Sequence, residues 1–161
     1  MRRIYFLTLI VLASLPVLGQ SKKGNPNKDA VIKSVDTHQQ DLIKLSDEIW
    51  AYAETALKEH KSAKALADYA EQQGFKVTRN VSQMPTAFIA EYGSGKPVIG
   101  ILGEYDALPG ISQKAQPTKE ALQQGAGGHG CGHNLFGAGS LGAAIAIKEL
   151  IQQGKLKDLH G

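Results

Sequence analysis

The sequence predicts an α/β fold, and three observations carry that expectation. Apolar residues recur at helical spacing in its first half, three short runs of β-type residues follow, and a stretch rich in Gly, Ala and Ser closes the chain as a further helix. At 161 residues, 42% of them apolar and 20% charged, the chain has the composition of one ordinary globular domain.

The first 19 residues, MRRIYFLTLIVLASLPVLG, place two arginines before an apolar run from Ile4 to Leu15 and end on Pro16 and a small residue, Gly19. That is the three-part pattern of a secretory signal peptide, and its apolar run is shorter than the roughly 20 residues needed to span a bilayer. An exported protein, periplasmic or secreted, with no stable membrane anchor after cleavage, is expected. Arg2 and Arg3 supply two of the positive charges behind the formal net charge of +3, so no basic face for nucleic acid remains.

Residues 20–36, with SKKGNPNKD at their start, read as a polar linker, and 37–161 as the folded part. Leu42, Leu45, Ile49, Tyr52 and Ala56 recur at spacings of three and four and predict an amphipathic helix within about 31–57. A second helix is bracketed by Ser62 as N-cap and Gly74 as stop signal. Three β-type runs follow: FKVTRNV from Phe75, TAFIAEY from Thr86 and PVIGILGEY from Pro97. The third is almost wholly apolar, as a strand covered on both faces would be. A loop from about Ile111 to Gly130 then leads to a helix over about 135–153, whose Gly137, Ser140, Leu141 and Ala144 suit close packing on a sheet.

Two features stand at strand-to-loop exits, where α/β proteins place their sites. Glu104 and Asp106 are two apart and share a face if the strand continues; alternatively Asp106 caps the turn at Leu108-Pro109-Gly110. GGHGCGH, residues 127–133, gathers His129, the only cysteine, Cys131, and His133 within five positions. Sulfur and imidazole donors in a glycine loop suit zinc and other first-row divalent ions, and a lone exported thiol has no internal disulfide partner. Two other chemistries compete for these residues. Cys131 as a thiol nucleophile would need a base delivered by the fold rather than by a neighbour two residues away. Gly137 to Gly142 formally fits a dinucleotide-binding glycine pattern but follows the cysteine loop rather than a strand.

LGEYDALPG followed by GHGCGHNLFGAGSLGAA resembles the dinuclear metallohydrolases of the aminoacylase and carboxypeptidase-G type, in their amidohydrolase branch. The resemblance covers roughly residues 37–161 and implies the N-terminal part of a zinc-peptidase-like catalytic domain, truncated, with a central mixed sheet flanked by helices. It implies a metal-dependent amidohydrolase in which two divalent ions, zinc or manganese, activate water to cleave the amide bond of an N-acyl amino acid, aminobenzoyl-glutamate-like or dipeptide-like. By the same resemblance Cys131 and His133 are metal ligands, Asp106 lies beside the metals in the catalytic centre, and His129 supports them. The partner expected is a small-molecule amide, and the full-length protein is expected to be a homo-oligomer. Asn134 departs from the aspartate common after the C-G-H of this branch. The glutamate base and further histidines of the family fall beyond residue 161, so the chain alone is expected to be an inactive fragment. The other function class is a noncatalytic metal- or ligand-binding exported protein.

Overall fold

A computed structural model of the protein describes residues 24–156. The expected signal peptide, residues 1–19, lies outside the described residues. Helix α1 spans Pro26–Tyr52, so residues 26–36 are helical rather than linker. The local chemistry explains the earlier start: the Asn25 side chain accepts the Asn27 N–H at 3.0 Å, Pro26 fills the first helical position where no N–H is needed, and Asp29 sits in the first turn. The helix stops at Ala53, which takes a left-handed conformation with φ +44° and returns its N–H to the Ile49 carbonyl.

Helix α2 spans His60–Gln72. Ser62 is fully buried inside its first turn instead of capping it, and the cap comes from Glu54 in the preceding loop. One Glu54 carboxylate receives the N–H groups of Lys61 and Ser62 and the Ser62 hydroxyl, at 2.9–3.1 Å. A negative charge at the positive end of a helix, satisfying otherwise orphaned N–H groups, is a strong stop against fraying. Gly74, at φ +85°, ends the helix turn as expected.

Strands β1, Lys76–Arg79, and β2, Phe88–Glu91, pair antiparallel with Lys76 opposite Glu91 and Arg79 opposite Phe88. Helices with this small sheet give the α/β character expected. The mixed central sheet is not assembled among the described residues, where the sheet has two antiparallel strands. The third β-type run, from Pro97, carries no ladder pairing, and Val98, Ile99, Ile101 and Leu102 are exposed rather than covered on both faces. Its apolarity suits a buried strand, but no neighbouring strand within 24–156 reaches it.

Helix α3, His133–Gln152, packs chiefly along α1 rather than on a sheet. Leu45 and Ile49 of α1, Leu66 and Ala70 of α2, and Ala138, Leu141 and Ile145 of α3 meet Phe75 in one core. The small residues of α3 serve two contacts. A Cβ on Gly142 would stand 2.8 Å from Leu42 of α1, and one on Gly137 would stand 2.9 Å from the backbone carbonyl of Glu104. Gly137 therefore lets α3 press against the extended segment that carries Glu104 and Asp106. Alone among the described helices, α3 is long and apolar enough to cross a membrane, a property it owes to this core face.

Candidate metal centre

Two backbone hydrogen bonds join the DALP and GGHGCGH segments, and a third ties DALP to the loop after α1. Leu108 and Gly128 exchange both of their N–H···O bonds at 3.0 Å, and the Ala107 N–H donates to the Glu54 carbonyl at 2.7 Å. The glycines have definite tasks. A Cβ on Gly128 would come within 2.4 Å of the Ile111 carbonyl oxygen, and Gly132, at φ +79°, turns the chain directly into α3. His133 is thereby the first residue of that helix, two residues earlier than its sequence pattern suggests.

His133 is clamped between two carboxylates. Its Nδ1 lies 2.8 Å from Asp106 Oδ1 and 3.1 Å from the Asp106 backbone carbonyl, and its Nε2 lies 3.2 Å from Glu104 Oε2. A carbonyl oxygen only accepts, so Nδ1 carries the proton and donates to Asp106. The Nε2 lone pair then confronts the Glu104 carboxylate, two acceptors with nothing between them, unless a proton or a cation stands there. A carboxylate behind a histidine and a lone pair in front of it is how proteins orient a metal-binding imidazole.

One ligand atom each from Glu104, Asp106 and His133 lies within 4.8 Å of the other two. Oxygen and imidazole nitrogen in this set fit zinc or manganese. When bound, such an ion would supply polarisation of a carbonyl and a water acidic enough to act near neutral pH. The Glu104 side chain is 49% exposed and the His133 side chain 21%, which leaves the Glu104 side of the cluster open to an entering ion.

Of the expected site residues, the structure joins Asp106 and His133 and leaves Cys131 on the exposed turn between His129 and Gly132, outside this donor group. His129 takes a supporting position: its Nε2 donates to the Ile49 carbonyl at 3.1 Å and ties the loop to the end of α1. Burial lowers its pKa, with the Ile49 carbonyl opposing, the neighbouring His133 adding to the shift and Asp106 opposing it, so the site favours the uncharged ring. Asn134 is buried and donates to the Ser46 hydroxyl at 3.0 Å, which makes it a helix-packing residue rather than a site residue. Glu104 is the member that has no assigned role in the sequence, although its two-residue spacing from Asp106 on an extended segment is the available signal.

Beside this cluster lies a shallow depression of about 180 Å³ lined by Glu59, Thr86, Gly103, Glu104, Tyr105 and Asp106. Tyr105 donates its hydroxyl to the Thr86 carbonyl, and its pKa is pushed up to about 12, first by burial and then by the charge of Glu59. Glu59 is buried with no hydrogen-bond partner for its Oε2. Its sequence position at the start of α2 gives no hint of this. A larger cavity of about 280 Å³ is lined by Lys64, Asp68, Arg79 and Phe88 among others, and in its wall Asp68 pairs with both Lys64 and Arg79.

No family model matches the chain. Over 123 residues it is 49% identical to a subunit of the p-aminobenzoyl-glutamate hydrolase of Escherichia coli (strain K12), covering 74% of this chain and 25% of that protein. Over 131 residues it is 30% identical to Xaa-Arg dipeptidase of Homo sapiens, covering 73% of this chain and 26% of that protein. The chain thus spans about a quarter of the length of the curated relatives it matches. With the EYDALPG and GHGCGHN segments joined at one histidine and with these two hydrolases as relatives, the chain belongs to the aminoacylase and carboxypeptidase-G-type hydrolase family, in its amidohydrolase branch.

Proposed function

We propose that the protein supplies the metal-binding face of a metal-dependent amidohydrolase that cleaves the amide bond of an N-acyl amino acid. The observation that carries this is the clamped His133, with Nδ1 2.8 Å from Asp106 Oδ1 and Nε2 3.2 Å from Glu104 Oε2. On that reading His133 and Cys131 bind the metals, two zinc or manganese ions, and Asp106 fixes the His133 ring from behind. Cys131 lies on the exposed turn just ahead of α3, within the same loop as His133. The names of the relatives, an aminobenzoyl-glutamate hydrolase component and a dipeptidase, support a small amide of one of those two kinds as substrate.

The relatives are about four times as long, which supports the reading that the general base and the remaining ligands come from residues outside this chain and that the assembled enzyme is oligomeric. The signal-like residues 1–19 support a periplasmic or secreted location. Metal content after equilibration with Zn²⁺ or Mn²⁺ tests the centre: wild type binds metal, Cys131→Ser binds less and His133→Ala binds none. Full metal content in His133→Ala defeats the assignment. Assay of the 161-residue chain on an N-acyl amino acid tests the division of labour, because turnover by the chain alone overturns it.

A further inference from the structure

Glu59 is the N-cap residue of α2, the position whose side chain ordinarily accepts the second and third N–H groups of a helix. Those groups belong to Lys61 and Ser62, and Glu54 has taken both, together with the Ser62 hydroxyl. Tyr105 gives its only hydroxyl proton to the Thr86 carbonyl. The Glu59 carboxylate is thus displaced from its usual task. The residue is 7% exposed, its Oε2 is shut off from solvent, and no group among the described residues donates to that oxygen. Glu59 lines the depression of about 180 Å³ together with Glu104 and Asp106, and none of the lining residues is basic. Its charge is felt at the Tyr105 hydroxyl, in the wall of that depression. A carboxylate is costly to bury without a partner, and a concavity walled by charges of one sign concentrates the other.

We propose that this depression binds an organic cation, a primary ammonium or guanidinium group, with Glu59 as its counter-charge. Size separates such a ligand from a bare metal ion. A divalent ion holds its oxygen ligands at roughly 2.0–2.6 Å, so the ligand atoms of one ion lie close together. Glu59 does not belong to the tight donor group of Glu104, Asp106 and His133. A cationic head on a hydrocarbon stem reaches where one ion does not: its N–H groups meet the carboxylate, and the stem lies along Gly103 and Ala87, which offer no side chain longer than a methyl. The amidohydrolase reading, on which this last step rests, makes the cation part of the substrate. Glu59 is then a specificity-determining residue beside the metal centre and not one of its ligands.

NMR titration of the isotope-labelled, metal-free whole chain with butylguanidinium and with butylammonium tests the site. N-butylurea, neutral and of nearly the same shape as butylguanidinium, is the control. The amide signals of residues 103–106 are expected to move with the cations, and the tighter of the two identifies the head group. Binding of butylurea to wild type, and of butylguanidinium to Glu59→Gln, should each be at least about tenfold weaker, the size of one charge-assisted hydrogen bond. Glu59→Gln should keep the helical circular dichroism and the Zn²⁺ uptake of wild type, since Glu59 stands outside the donor group. The urea comparison needs no variant and so decides the matter even where Glu59→Gln misfolds. Equal affinity for butylurea and butylguanidinium, undiminished binding by Glu59→Gln, or movement of these signals by Mg²⁺ or Ca²⁺ but by neither organic cation overturns the proposal. The metal reading fails separately, on the metal content of His133→Ala.

Discussion

His133 acts through the tautomer that its neighbours impose. Two acceptors of Asp106, one carboxylate and one carbonyl, hold the proton on Nδ1, so removing the carboxylate weakens the arrangement without erasing it. Asp106→Ala is expected to lower Zn²⁺ affinity by about 10- to 100-fold, the usual cost of losing the group behind a metal-binding histidine, measured by isothermal titration. Tyr105 gives a pH signature of its own. Its folded-state pKa, raised to about 12 mainly by burial, favours the neutral phenol, so the stability it contributes is complete below its unfolded value near 10 and is lost as pH rises from there through about 12. Melting temperature should fall over that window, and Tyr105→Phe should flatten the fall. A Phe at 105 keeps the ring stacked on Phe88 and loses only the hydroxyl's bond to Thr86. Asp106 and His133 are legible as site residues from two short motifs. Glu104 is visible only as half of an acid pair, because nothing in the chain announces that an extended segment will carry both carboxylates to one ring.

At the scale of elements, the helices are the legible part. The apolar spacing in α1 marks Leu45 and Ile49, which the fold buries. The start of α1 is misplaced by sequence reasoning because Asn25-Pro26 has two uses: both residues are common in linkers, and they also form an N-cap followed by a first-turn proline. The start of α2 is illegible for a different reason, since its cap is donated from outside the helix by Glu54. Glu54→Ala should cost about 1–2 kcal/mol in denaturant titration, the range of a lost N-cap. Gly137→Ala is expected to cost about 1–3 kcal/mol, because the added methyl must displace the Glu104 backbone, and it should also weaken metal binding by shifting that residue. The apolar character of the third β-type run is plain in the sequence, but among the described residues no element covers its two faces. Periodicity reports what a strand needs, and a partner strand must still be supplied.

Across the whole molecule, the candidate centre stitches together parts distant in sequence: the loop after α1, the 104–108 segment and the start of α3. An ion that binds only the folded arrangement must stabilise it, by about 2.7 kcal/mol at a concentration 100 times its Kd. Thermal unfolding monitored by circular dichroism should therefore shift upward with Zn²⁺ or Mn²⁺ in wild type and stay fixed in His133→Ala. The same stitching provides an optical handle. The carbonyl that receives the His129 Nε2 proton belongs to the peptide linking Ile49 to Trp50, the sole indole of the chain. Any rearrangement of the cysteine loop therefore tugs on the backbone of the chain's one bright fluorophore, and its emission becomes a label-free gauge of what the loop is holding.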